Sequence, residues 1–278
     1  MIWRPSLKLL LENEDIFMET FQLSDGSTVK TGLLVPDSLM TSFPDYSTSA
    51  QVLSKEDILM AARSGERKGK NRFDSTWVKN QGNFGSCNGF MVASMLSRAR
   101  VRRNLERVDL SGAYAYSLMN NGRDQGSTLD NSMRVVELNG IATEETVKFN
   151  QIYPYLYDRR KADEEAKQFR AFECYRVKTE LELASALILG FDCGVAVHAG
   201  ARFMQLNPSG IAGADSGPGN HAVGVDGIFA EGDTIFFDMY NSWGVSYGNQ
   251  GRAYLTWARH LAQTIIYHPF YAIRSTIG

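Results

Sequence analysis

The sequence predicts an α+β fold of two lobes, one helical and one built on an antiparallel, barrel-like sheet, with a cleft between them. Two observations carry this. Up to about Gln168 the segments between turn signals have helical character, above all the Met-, Leu- and Ala-rich stretch that follows Cys87. From Phe172 onward short apolar and β-branched runs take over, at 172–177, 194–198, 222–229, 234–241, 252–257 and 265–273, with one helical segment at 181–189 among them. A change from helices to strands along one chain points to segregated layers, and 278 residues are enough for one large domain or two modest ones.

The stretch that organises the helical half runs from Gln81 to Arg103. Glycines and a serine lead to Cys87, and the following run ends in Arg100, Arg102 and Arg103. That is a loop feeding a helix, with Cys87 in its first turn and cations near its last. A helix N-terminus carries about half a positive charge and favours a thiolate over a thiol, so Cys87 is a candidate nucleophile in need of a base. Arg98, Arg100, Arg102, Arg103 and Arg107 read as the cationic end of this helix plus a solvated turn rather than a nucleic-acid face.

The residues before it fold at least in pieces. Asp25-Gly26 between apolar runs at 16–23 and 28–35 predicts a hairpin. Ser54 followed by Asp57 reads as a capping box for a short helix, with Gly65 as its stop. The cluster Arg63, Arg67, Lys68, Lys70, Arg72 reads as a solvated connecting loop rather than a processing site. An N-terminal extension, 1–72, is therefore expected ahead of a main domain, 73–278.

The base comes late. Gly219-Asn220-His221-Ala222-Val223 follows Cys87 by 134 residues to the histidine, and Asn241-Ser242-Trp243-Gly244 lies 20 residues further. With Q-G-N-F-G-S-C-N-G around Cys87, these motifs resemble, in the same order, the Q-G-x-C-G-S-C-W, N-H-A-V and N-S-W-G segments of papain-family cysteine proteases, and the spacing is the one known for that family. Gly126-Ser127-Thr128-Leu129-Asp130-Asn131 and the later Asn139-Gly140-Ile141 parallel the family's G-G-L-M-D-N and N-G-G-I stretches. The resemblance covers about Trp77 to Tyr254.

The resemblance implies a papain-like two-lobe fold and a thiol endopeptidase. Cys87 would attack the amide carbonyl, His221 would serve as base and then acid, and Asn241 would orient the imidazole under the shield of Trp243. Gln81, with the Cys87 N–H, would form the oxyanion hole. Gly126 and Ser127 would bind extended substrate along their backbone, and Ala196 and Gly219 would line a roomy side-chain pocket. Three departures stand out: Phe84 takes the place of a disulfide cysteine, Asn88 that of the Trp after the nucleophile, and Ser127 that of a second Gly. His198 is the rival histidine, while His260 and His268 read as surface or packing residues.

Composition bounds the partners. Charged residues make up 22% and the net charge is −2, so nothing draws the chain to nucleic acid or an anionic membrane. Neither a signal peptide nor a membrane span is evident, and no cofactor or metal is implied. Three cysteines are an odd count, so a reducing, cytoplasmic-type compartment is expected, although Cys174 and Cys193 could pair. A viral or bacterial origin would suit this profile. Two other functions stay open: a catalytically silent relative that binds peptide or serves structurally, and a thiol amidase or acyltransferase using the same three residues. A last expectation is that the N-terminal region covers the cleft until it moves or is cut near Arg67 to Arg72.

Overall fold

The computed structural model describes residues 18–37 and 43–275, and its architecture is helical in the first half and sheet-based in the second. The reading of residues 1–15 and the first two residues of the predicted hairpin lie outside the described residues. The hairpin itself is present as β1 (Thr20–Gln22) and β2 (Thr28–Lys30), with Gly26 at φ +83 in the turn. After a single turn of helix, α1 (Tyr46–Ser49), comes α2 (Lys55–Arg63). Its cap is the one expected: the Ser54 hydroxyl accepts from the Asp57 N–H at 3.1 Å.

The helical lobe is built on α3 (Cys87–Arg102), buried along almost its whole length. Around it lie α4 (Gly112–Ser117), α5 (Leu129–Arg134) and α6 (Arg159–Ala166). Gly89 and Gly112 let α3 and α4 pack backbone to backbone; a Cβ at Gly89 would sit 2.4 Å from the Gly112 carbonyl oxygen. The second lobe is a six-stranded antiparallel sheet of β3 (Ala171–Val177), β4 (Asp192–Val197), β5 (His221–Glu231), β6 (Thr234–Tyr240), β7 (Arg252–Thr256) and β8 (Phe270–Ser275), in the order β3-β8-β4-β5-β6-β7, with α7 (Glu180–Ile188) against it. The end strands do not pair, so the sheet stays open where a barrel-like form was expected. The last strand is also shorter than the run 265–273 suggested. Thr264 and His268 hold the preceding turns by side-chain bonds to the carbonyls of Ala196 (2.7 Å) and Gly219 (3.2 Å).

Cys174 and Cys193 are free and buried. They sit on β3 and β4, on either side of β8, opposite Ile273 and Ala272. Two ladder steps of about 4.8 Å each, with side chains on opposite faces, put them beyond the reach of a disulfide.

The arginines of α3 depart most from expectation. Arg98 is fully buried and Arg100 nearly so. The Arg98 Nε donates to Asp226 at 3.1 Å, and its guanidinium lies 3.7 Å from the centre of the Tyr240 ring. Arg252 reaches the same Asp226 and also Asp238, which in turn accepts from the Lys70 N–H at 3.1 Å. Arg102 pairs with Asp192, whose other oxygen accepts from the Tyr240 hydroxyl at 2.6 Å. These cations do not merely serve the helix dipole; they bolt α3 to β4, β5, β6 and β7. The basic segment before the helix joins in. The Arg67 carbonyl accepts from the Ile228 N–H, and Gly69 lies so close to Asp226 that a Cβ there would be 1.6 Å from its oxygen. Among the described residues no helix is long and apolar enough to cross a membrane.

Removing one partner from such a buried set leaves charges without compensation. Asp226→Asn should therefore lower the unfolding free energy by about 3–5 kcal/mol, seen as a lower urea midpoint, whereas Asp233→Asn, in the exposed pair with Arg63, should change it by less than about 1 kcal/mol.

Candidate active site

Cys87 is the first residue of α3, and His221 is the first residue of β5. The backbone of Ala222, next to His221, and those of Asn88 and Gly32 lie close enough to the Cys87 thiol to pull its pKa down. The His221 Nε2 donates to the Asn241 Oδ1 at 2.8 Å, and that oxygen also accepts from the Ser242 N–H at 2.8 Å. With Nε2 carrying the proton, the Nδ1 lone pair is left without a hydrogen-bond partner among the described residues. The Trp243 ring stacks on the imidazole, centroids 4.1 Å apart and planes inclined by 22°, and is itself fully buried.

Gln81 lies beside this group, also fully buried. Its side-chain oxygen accepts from the Ser242 hydroxyl at 2.6 Å, which aims the amide N–H₂ the other way. One N–H goes to the Phe84 carbonyl at 2.6 Å and the other to the Lys30 carbonyl at 2.8 Å. Ser242 thus holds two members of the group, Asn241 and Gln81. It stood inside the N-S-W-G motif without being assigned a part, and its hydroxyl was the signal.

The Lys30 contact shows what fills the cleft. Residues 30–34 run through it as a strap. The Gly32 backbone lies against the Cys87 thiol, and the Gly32 carbonyl accepts from the Ser127 N–H at 2.9 Å. The Leu34 N–H donates to the Ser127 carbonyl at 2.9 Å, making a parallel bridge at Leu33. On the other wall, the Asn220 carbonyl accepts from Gly32 and Leu33. Only Gly fits at 32, since a Cβ would lie 2.0 Å from the Gly85 carbonyl oxygen. Gly126, at φ +82, allows the same approach from the other side.

Covering the pair changes its charge state. Burial pushes the Cys87 thiol up to about 11, against the opposing pull of the nearby backbone, and drives the His221 imidazole down to about 4 despite the bond to Asn241. With the strap in place the two groups are a neutral thiol and a neutral imidazole at neutral pH.

The expected substrate edge is present but modified. Asn88, fully buried, donates from Nδ2 to the carbonyl (2.7 Å) and hydroxyl (3.1 Å) of Ser127. Two departures from the family pattern are therefore bonded to each other. Ala196 and Gly219 are buried, with Thr264 and His268 packed against them. His198 lies against Gly217, outside the Cys87 group, and His260 and His268 are buried packing residues. A cavity of about 920 Å³ between Trp77, Lys79, Glu144 and Phe149 does not reach Cys87.

Comparison with known proteins agrees with this architecture. The papain family cysteine protease model matches residues 64–272. Cathepsin K of Gallus gallus is 29% identical over 248 residues, 84% of this chain and 68% of that protein. The oryzain beta chain of Oryza sativa subsp. japonica is 29% identical over 184 residues, 63% of this chain but 38% of that much longer protein. Among solved structures, xylellain, a cysteine protease from Xylella fastidiosa, superposes with a TM-score of 0.70 at 16% identity, over 88% of this chain and 96% of that one. ProCathepsin B S9 from Trypanosoma congolense gives 0.64 at 15%, over 88% and 86%. With a family match spanning most of its length and a shared two-lobe fold, the chain belongs to the papain family of cysteine proteases.

Proposed function

We propose that the protein is a thiol endopeptidase held latent by its own N-terminal region, with Cys87 as nucleophile, His221 as base and acid, Asn241 as the residue that orients the ring, and Gln81 as oxyanion donor. The observation that carries this reading is the His221 Nε2 to Asn241 Oδ1 bond at 2.8 Å, which leaves Nδ1 as the ring's lone pair, while the backbone of the adjacent Ala222 lies close to the thiol at the head of α3. A thiol proton passes to that nitrogen, and the thiolate attacks a peptide carbonyl whose oxygen replaces the Lys30 carbonyl at the Gln81 amide. His221 then gives the proton to the leaving amine, and water releases the acyl group. Gly126 and Ser127 supply backbone bonds to the extended substrate, Trp243 keeps water off the His221–Asn241 bond, and Ala196 and Gly219 back the cleft.

Residues 1–72 act as an N-terminal extension to the peptidase domain 73–278 on this reading, in two parts. Residues 30–34 are the strap, whereas residues 65–72 are tied into the sheet through Arg67, Gly69 and Lys70. Release thus acts on the strap and not on the basic segment. The unpaired cysteines support a reducing working environment.

The filled cleft and the neutral pair also favour a second reading, a silent relative whose cleft is a permanent peptide seat. An amidase or acyltransferase is less well supported, because Asn241 is a neutral third residue.

Labelling, cleavage and product masses test the proposal. In the full-length chain, Gly32→Ala drives a methyl group into the Gly85 carbonyl, so the strap should lift and iodoacetamide should label Cys87 at least about 10-fold faster near neutral pH. Labelling no faster than that of an ordinary free thiol would favour the silent relative. Without that substitution, the labelling rate should climb as pH rises towards 11, because a raised thiol pKa leaves the thiolate scarce until then. In the Gly32→Ala background, adding Cys87→Ala should abolish cleavage of an unfolded protein, and adding Gln81→Ala should cut kcat by about 10²–10³-fold. Product mass spectrometry should show cut backbones rather than altered side chains.

A further inference from the structure

Asp124 lies between the nucleophile loop and the substrate edge, and no part of the proposed chemistry uses it. Its Oδ1 accepts from the Gly85 N–H at 2.8 Å and from the Tyr116 hydroxyl at 2.9 Å. That hydroxyl in turn accepts from the Gly126 N–H at 2.9 Å. One carboxylate oxygen therefore joins the residue two before Cys87 to the first residue of the substrate edge. The other oxygen, Oδ2, faces the cleft and takes the Lys30 ammonium at 3.3 Å, with both side chains partly exposed.

The position of Lys30 makes this a measured distance. Its carbonyl oxygen rests on the Gln81 amide at 2.8 Å while its Nζ reaches Asp124. Whatever the direction of a chain through the cleft, the span from the Gln81 amide to the Asp124 carboxylate is one lysine side chain. In hydrolysis, the residue whose carbonyl lies at the Gln81 amide is the one on the acyl side of the bond that breaks. When the strap leaves, Lys30 goes with it. Asp124 keeps two neutral donors on one oxygen and faces the cleft with the other. Among the described residues Lys30 is its one ion-pair partner.

We propose that Asp124 is a specificity-determining residue that selects lysine or arginine on the acyl side of the scissile bond, and that Lys30 of the strap occupies that subsite in the latent form. This rests on the reading of Gln81 as oxyanion donor. A charge-assisted bond in a partly covered site is worth about 10–100-fold in selection over an uncharged side chain of similar length.

The test uses the full-length Gly32→Ala chain with and without Asp124→Asn, which preserves the acceptor for Gly85 and Tyr116. Short peptide amides differing only in Lys, Arg, Gln or Glu at the acyl-side position give kcat/KM for each. The Lys/Gln ratio should be about 10–100 with Asp124 and should fall towards 1 with Asp124→Asn. Thermal melts check that the variant folds. Peptidyl acyloxymethyl ketones carrying the same four side chains, scored by labelling of Cys87, repeat the comparison without turnover. Cleavage or labelling without basic preference, or with a preference that survives Asp124→Asn, overturns this assignment alone. Failure of every peptide and every ketone at Cys87 overturns the peptidase reading as well.

Discussion

The buried pair between Arg98 and Asp226 sets where everything else in the molecule can be. Arg98 is on the helix that begins at Cys87, and Asp226 is on the strand that begins at His221. Eleven residues of helix separate Cys87 from Arg98, a rise of roughly 16 Å. Five residues of strand separate His221 from Asp226, again roughly 16 Å. The two elements are thus the same length from bolt to active end. Pinning Arg98 on Asp226 brings the head of the helix level with the head of the strand, where the Ala222 backbone lies close to the thiol. Arg252, Asp238 and the Lys70 N–H complete the set and leave Asp226 no freedom to slide along the helix. An apolar contact of the same area would tolerate a shift in register that a charged, hydrogen-bonded one does not.

A site located so firmly can be switched off without moving it. The strap lies over a group in which Cys87, His221 and Asn241 are all buried. Losing solvent disfavours both the thiolate and the imidazolium, and the shifts run in the directions that make each group neutral. The strap also takes the Gln81 N–H that a developing oxyanion would need and both backbone groups of Ser127. On the proposed reading, latency follows from desolvation plus occupation of donors.

Much of the site was legible in the sequence because the chemistry demands particular residue types at a helix start and at strand ends. His221, Asn241 and Trp243 lie in contact and the Ala222 backbone lies beside Cys87, and the helices and strands fall within a few residues of their expected places. What was not legible depends on contacts between distant segments. Arg98 reads as a helix-end cation until Asp226 is seen beside it, since nothing local in either segment announces the partner. The strap reads as half of a hairpin; only the absence of room at Gly85 explains why residue 32 is glycine. The shorter β8 has the same kind of cause, because Thr264 and His268 spend their polar groups on backbone carbonyls and hold turns where an apolar run suggested a strand.

The three departures around the nucleophile can be understood together. A disulfide near Cys87 would fix the loop by covalent constraint, and with Phe84 in its place that constraint is gone. Asp124 supplies an alternative: a carboxylate oxygen that takes the Gly85 N–H and, through Tyr116, holds Gly126. Asn88 does the same for the next residue, because its amide holds the carbonyl and hydroxyl of Ser127. A tryptophan at 88 would carry a single N–H on a much larger ring, whereas the Asn88 amide reaches both the carbonyl and the hydroxyl of Ser127, and a glycine at 127 would offer no hydroxyl. The substitutions at 88 and 127 are therefore coupled, and a change at either one alone leaves a buried amide or an unanchored edge. In this protein the walls of the cleft are set by hydrogen bonds to side chains rather than by a sulfur bridge, and the carboxylate that does part of that work turns its other oxygen to the Lys30 ammonium of the strap.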